Sequence, residues 1–536
     1  MPLPPFVHVT PRSSSPGRPA APHVAPSVEG VARQRLGHVL PRSSGTDSRV
    51  PDGIFAEWEW DGRRMTVRGD RYAFRPLFYW CDATQFVASP SLALVAQRAG
   101  LRTPDVEAIA VFLHLGYYVN EDTPLRGVRT LPPTARLTWD GTLTIETSRS
   151  LGIAQRVSRT EAMDGYIDLF RAAIARRPPT GERCAVPLSG GRDSRHILLE
   201  LVRQGFRPTE CITSRELPPR GNVDVAPAAE LCARLGLNHV VVSPPRRFEA
   251  ETRRTWRTSY CCDEHEWMLG MADRMAGRSN DPAASGFSTS WDGIAGDTLS
   301  APRLQKPEHL RLLQQGKFEA LADELLGRDA TPLMSVLPER FRCADARAVL
   351  PVRLARHLEA VSGGPNPLAM SNIYSRSRRE IAMMSTAMLA GVPTVYCPFL
   401  DHELFDYLAG LPEEIRYDPG FHDDVIARAY PEIADVPYAP KNVTVRSAAH
   451  FARFGAEVML HLLSRNPSWL QLLPRTVWQW ATHGLSRDRR ARERWLSPSR
   501  LLYFAQLAAL LDDCDHELAM LAREPGIDVV GGWATE

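Results

Sequence analysis

From Ile54 onward, apolar and polar positions alternate in short runs separated by turn residues: FAEWEW, the Asp61-Gly62 pair, RMTVRG, then LFYW and QFVAS. Alternation of period two marks half-buried strands, and Asp-Gly suits a two-residue hairpin turn, so this stretch predicts an antiparallel β region. It closes with a helical pattern, DVEAIAVFLHLGYY, and a last hairpin in which ARLTW and TLTIET flank Asp140 and Gly141. A first domain over 52–150 follows. After a linker at 151–160 the period becomes 3.6, and Met163, Ile167, Phe170 and Ile174 share one face of a helix predicted over 161–176.

Strand and helix then alternate. CAVPLS (184–189) reads as a buried strand and GGR as a tight loop. A helix over 194–204 follows, with Ile197, Leu198, Leu201 and Val202 inward and Gly205 as its stop. TECIT (209–213), a helix over 226–235 stopped by Gly236, and HVVVS (239–243) complete the series. This order predicts a doubly wound parallel sheet, whose ligands bind beyond the carboxyl ends of its strands, where 189–194 falls. Beyond about residue 250 the pattern is mostly helical to the end and shows no internal repeat. Residues 1–50, rich in Pro, Ser, Gly and Arg, lack apolar periodicity and are expected to be mostly disordered.

The chain has 536 residues, 44% hydrophobic and 24% charged, enough for two or three domains with real cores, which excludes a fibre or a fully disordered chain. A formal charge of +2 calls for no polyanionic partner, so nucleic acid is not implied. No apolar run reaches membrane-span length, the longest candidate being 501–511, and the proline-broken start has no signal-peptide core. The nine cysteines form no CxxC pair and read as reduced, mostly buried thiols. A cytoplasmic protein without membrane contact is expected. Among the 64 basic residues only Lys306, Lys317 and Lys441 are lysines. Genome bias towards arginine accounts for that, and equally leaves lysine where arginine cannot replace it.

Ser189-Gly190-Gly191-Arg192-Asp193-Ser194 joins a strand to a helix. Two glycines let backbone amides approach an anion, the helix start supplies open N–H groups, and two hydroxyls can donate to phosphate oxygens. No Walker-type G-x-x-x-x-G-K-[ST] is present. Beside a phosphate, Asp193 makes sense with a cation between them, as a Mg2+ ligand.

This loop resembles the SGGxDS pyrophosphate loop of the N-type ATP pyrophosphatases, and the chain over about 52–445 resembles the asparagine synthetase-like amide ligases. DRYAFRPLFYW (70–80) and GYYVNEDTPLRGVRTLPPTARLTWDG (116–141) look like segments of that family's amino-terminal glutaminase-type domain, and PFLDHELFDYLAGLP (398–412) is close to its PFLD-x-x-L helix. The resemblance implies an α/β fold: a degenerate Ntn-hydrolase-like domain (52–150), then a doubly wound parallel-sheet PP-loop (HUP-like) synthetase domain (160–445). A largely helical part over 446–536 ends the chain. It implies ATP and Mg2+ as cofactors and a reaction that adenylates a carboxylate and lets an amine attack the acyl-adenylate. Carried over by position, Ser189, Gly190, Gly191, Asp193 and Ser194 would hold the β- and γ-phosphates and the metal. Asp297 in DGIAGDTL resembles the second metal-binding aspartate, and Lys441 in AYPEIADVPYAPKN the late lysine that neutralises the departing phosphate. Val242 would approach the adenine, or is an ordinary strand end.

Two departures limit the resemblance. Glutamine-hydrolysing members need a cysteine at position 2; here it is Pro2, and no cysteine precedes Cys81, so unless the start lies elsewhere glutamine is not hydrolysed in the usual way. The family's S-G-E-G-x-D-E reads Asp292-Gly293-Ile294-Ala295-Gly296-Asp297-Thr298, with isoleucine in place of the catalytic-site glutamate. An isoleucine takes no proton. His265 or Glu264, in CDEHEW, could supply the base, or that segment is a solvated acidic helix start with Trp267 packed inward. Metal binding by His265 and its neighbouring glutamates is a weaker alternative. Arg376, Arg378 and Arg379 could grip a carboxylate or phosphate, or form a solvated face. Trp469, Trp478, Trp480, Trp495 and the apolar stretch near 501–511 read as helical packing, with a partner or peptide groove as the alternative.

The reading favoured at this level is an ATP-dependent ligase that joins a small-molecule or peptide carboxylate to an amine not taken from glutamine, as in relatives that close lactams. The alternatives are an asparagine synthase using free ammonia or a partner glutaminase, and a non-catalytic ATP-binding protein on a decayed ligase scaffold. A partner protein or a homodimer remains open.

Overall fold

A computed structural model describes residues 5–10, 27–41, 50–218, 220–277, 286–300, 306–326, 337–440, 443, 448–465 and 497–521. The fold class is the α/β one expected.

The first domain holds two five-stranded antiparallel sheets. One runs in the order Ser27–Gly30, Val7–Thr10, Phe86–Ser89, Phe78–Cys81, Arg129–Thr130, and the other Leu143–Glu146, Arg136–Trp139, Met65–Gly69, Gly53–Trp60, Arg33–Val39. Their inner faces share one core, with Val7, Val9 and Phe86 from the first meeting Trp58, Met65, Val67 and Leu137 from the second. Helices Leu92–Ala99 and Val106–Leu115, the latter capped by Asp105 and ended by a left-handed Gly116, pack against the first sheet's other face. Strands Val7–Thr10, Ser27–Gly30 and Arg33–Val39 lie within the segment expected to be mostly disordered, which corrects that expectation for these residues. Their pairing partners are distant in sequence: Val7 faces Ala88, and Arg35 faces Glu57. Local periodicity carries no trace of such pairing.

The second unit is built on a parallel sheet in the order His239–Val242, Glu210–Ser214, Cys184–Pro187, Thr289–Trp291, Thr394–Tyr396. Its last two strands were missed in a region read as mostly helical, since three residues each are too few to show a period. They matter because the strand order reverses beside Cys184–Pro187, and an open α/β sheet forms its ligand crevice at such a switch point. Helix Arg159–Ala175, started by a capping box between Ser158 and Glu161, buries Met163, Ile167, Phe170 and Ile174 as expected.

The two units are joined by buried charge. Arg378 donates to the carbonyls of Asn120 and Leu131 and pairs with Glu121, while Arg379 donates to the carbonyls of Asn120 and Asp122. Arg177 bridges Asp52 of the first domain and Asp401. Helix Pro498–Asp512 buries Leu501, Leu502, Tyr503, Phe504 and Leu507, and its Tyr503 hydroxyl meets that of Tyr118 at 2.8 Å. Trp469, Trp478, Trp480 and Trp495 lie outside the described residues. All nine cysteines are free and eight are buried. Among the described residues no helix is long and apolar enough to cross a membrane.

Candidate active site

The loop that leaves strand Cys184–Pro187 enters helix Arg192–Arg203 through Gly191, and no side chain caps that helix, so its first-turn N–H groups remain for an anion. The Ser189 N–H donates to Ser194 Oγ at 3.0 Å, Gly191 N–H donates to Ser189 Oγ at 3.2 Å, and the two hydroxyls stand 3.1 Å apart. Gly190 N–H donates to Asp224. A Cβ on Gly190 would lie 2.5 Å from the Ala439 Cβ, so only glycine permits this approach.

Asp193, in the first turn of that helix, faces the loop that follows strand Thr289–Trp291. A Cβ on Gly293 would come within 2.8 Å of the Asp193 Cβ, and one on Gly296 within 2.6 Å of its Cγ, so two glycines seat the second loop against this carboxylate. Between them Ala295 holds a left-handed φ of 73°. Asp297 N–H donates to Asp193 Oδ2 at 3.1 Å, while Asp193 Oδ1 is buried without a hydrogen-bond partner among the described residues. Burial first, and the neighbouring Asp297 charge second, push the Asp193 carboxyl well above its ordinary range. Two adjoining carboxylates, one with an orphaned oxygen and the other exposed, fit a hard divalent cation such as Mg2+.

These loops open on a cleft of about 400 Å³ whose lining includes Ser189, Asp193, Ser194, His265, Asp297 and Arg376. His265 reaches it from a left-handed backbone, φ 68°, with Trp267 beside it on the cleft wall. Its Nε2 lies 3.3 Å from Oε1 of Glu380, a side chain only 2% exposed. Arg376 ties Glu380 at 3.1 Å to Glu264 at 3.3 Å. Residues Ile373–Ile381 wind as a π-helix, and this run brings Arg376, Ser377 and Ile381 to the cleft. Ile294 is 4% exposed and lines the same cleft. The geometry thus puts His265, Arg376 and Ile294 with the phosphate loop.

Other residues singled out by the sequence lie elsewhere. Glu264 is half-exposed, paired with Arg376 and Arg220, and does not line the cleft. Val242 is partly buried against the larger core, its carbonyl accepting from Arg215 N–H, and it also stays off the lining. Arg378 and Arg379 are buried domain-joining residues, neither a solvated face nor an anion grip in the cleft. Lys441 lies outside the described residues. Lys306 pairs with Glu324.

Sequence reasoning missed Glu380, Asp292 and His422. A glutamate four positions after Arg376 was the one local signal for Glu380. Asp292 accepts from Ser385 Oγ at 2.8 Å and from Ile294 N–H at 2.9 Å, which fixes the start of the second loop.

A sequence model of the family described as asparagine synthase matches residues 165–516, covering the parallel sheet, both glycine loops and helix Pro498–Asp512. The match runs past residue 445, where the sequence resemblance ended. No curated protein matches the chain. Among solved structures, one described as the structure of the allosteric regulatory enzyme of purine biosynthesis is similar at 11% identity, over 37% of this chain and 50% of its own, with a TM-score of 0.14. The likeness spans half the length of that protein and, at that score, carries no argument.

Proposed function

The chain belongs to the asparagine synthase family of ATP-dependent carbon–nitrogen ligases, and on that premise we propose that it adenylates a substrate carboxylate and joins it to an amine not drawn from glutamine. The observation that carries this reading is one cleft lined by the phosphate loop, the Asp193–Asp297 pair, His265 and Ile294, with the buried Glu380 3.3 Å behind His265.

In the first step a carboxylate oxygen bonds to the α-phosphorus of ATP, the bond to the β-phosphate breaks, and pyrophosphate leaves. In the second, the amine nitrogen bonds to the acyl carbon, AMP leaves, and the amine gives up a proton. The open N–H groups of the first turn of helix Arg192–Arg203 and the Ser189 and Ser194 hydroxyls would bind the departing pyrophosphate. Asp193 and Asp297 would hold Mg2+, whose charge offsets that of the phosphates. His265 would take the amine proton, with the Glu380 carboxylate 3.3 Å from its Nε2. Glu264 fits that task less well, because Arg376 and Arg220 already hold it outside the cleft. Ala439, which packs on Gly190, precedes Lys441 by two positions, and that supports a role for this lysine at the phosphate loop.

Loss of the glutaminase step is supported by Cys81, the only cysteine in the first domain, whose thiol burial pushes up to about 11 and so keeps protonated. Purified protein given ATP, Mg2+ and glutamine is expected to release no glutamate; glutamate formation coupled to ATP cleavage would overturn the reading.

A further inference from the structure

Behind Asp193 lies a buried polar chain that neither the phosphate loop nor the His265 wall uses. His422, on helix Phe421–Ala429, is fully buried. Its Nδ1 stands 2.9 Å from Ser300 Oγ and 3.6 Å from Asp193 Oδ1, and its Nε2 stands 3.2 Å from both the Tyr166 hydroxyl and His196 Nδ1.

The hydrogen bonds assign the tautomer. Ser300 has one hydroxyl proton and gives it to the Gly296 carbonyl at 2.7 Å, so towards His422 it can only accept. The proton of the neutral imidazole therefore sits on Nδ1, and Nε2 accepts from Tyr166 or His196. Nδ1 faces Ser300 Oγ at 2.9 Å and, at 3.6 Å, the one Asp193 oxygen without a hydrogen-bond partner among the described residues.

We infer that His422 is a positioning residue for Asp193: its Nδ1–H holds the carboxylate in the orientation that turns its remaining lone pairs to a divalent cation in the cleft. Ligating carboxylates are commonly oriented by such outer partners, whose loss costs about 10- to 100-fold in metal affinity. Tyr166 or His196, donating to Nε2, in turn keeps the proton on Nδ1. The inference rests on the reading of Asp193 as a metal ligand, and the experiment separates the two.

Binding of Mn2+ to the full chain in the presence of ATP, followed by electron paramagnetic resonance, reads the site without turnover. His422→Asn places an amide N–H where Nδ1–H was, whereas His422→Gln places it near Nε2. The asparagine variant is expected to keep Mn2+ affinity within about threefold and the glutamine variant to lose about tenfold. Equal affinities, or equal losses, in the two variants would overturn the inference. Should both fail to fold, Ser300→Ala, which removes the rival acceptor and leaves the imidazole, is expected to match or exceed wild-type affinity, and weaker binding would overturn it. Asp193→Ala is the control: undiminished Mn2+ binding there would refute the metal-ligand reading itself.

Discussion

At the scale of single residues, the site depends on how closely two loops can approach. Adding one carbon at position 296 would place it 2.6 Å from the Asp193 Cγ and 2.9 Å from the Phe399 ring, so the proposed metal ligand is among the groups that must move. Gly296→Ala is therefore expected to keep the fold and lower pyrophosphate release by about 100-fold or more, since small misplacements of reacting groups cost that much; release within a few-fold of wild type would argue against the loop contact. His265 occupies a left-handed backbone that asparagine also tolerates. His265→Asn should then fold normally and slow amide formation by about 100- to 10,000-fold while carboxylate-dependent pyrophosphate exchange persists. Loss of both steps together would mean that His265 serves binding. The phosphate loop was legible because its six residues are contiguous and each type has a task there. Glu380 and His422 were not, because they meet His265 and Asp193 across more than a hundred positions and only packing brings them together.

Among elements, the strands and helices that sequence revealed are those whose partners are near in the chain. Hairpin Gly53–Trp60 with Met65–Gly69 and helix Arg159–Ala175 follow from period and turn chemistry. Thr289–Trp291 and Thr394–Tyr396, each three residues long, are strands because the sheet pairs them. The PFLD segment gains a physical reason in the structure: Asp401 caps helix His402–Gly410 and pairs with the buried Arg177 at 2.8 Å. Burial raises the Asp401 carboxyl, but Arg177 and Arg176 together outweigh it and hold the group below the ordinary carboxylate range. A carboxyl depressed in the folded state stabilises above its unfolded pKa, about 4, and loses that contribution as pH falls below it. Denaturant unfolding is thus expected to weaken steeply below about pH 4 in the wild type and less steeply in Asp401→Asn. Parallel acid limbs in the two proteins would contradict this assignment. Arg378, buried against two carbonyls of the first domain, makes a second test. Arg378→Ala should cost about 3–5 kcal/mol and open the junction to limited proteolysis, because it leaves Glu121 and those acceptors unpaired.

On the scale of the whole molecule, the chain sets a parallel-sheet ligase unit against a two-sheet first domain and seals the junction with Arg177, Arg378, Arg379 and the Tyr118–Tyr503 contact. The fold class was legible from the change of period near residue 160, and the crevice from the strand–loop–helix order. The strands before residue 40 were not, because their stability comes from neighbours at 53–59 and 86–88. The central claim, carboxylate adenylation with an amine that glutamine does not supply, is tested most directly by the nucleotide products. The purified chain would be incubated with ATP, Mg2+ and a panel of free amino acids and Asp- or Glu-containing peptides, with and without glutamine, and AMP, ADP and pyrophosphate separated by liquid chromatography and mass spectrometry. A member of the panel is expected to yield AMP and pyrophosphate in equal amounts, at a rate indifferent to glutamine, and none in Asp193→Ala. ADP and phosphate as products, or AMP formation that requires glutamine and releases glutamate, would contradict the account.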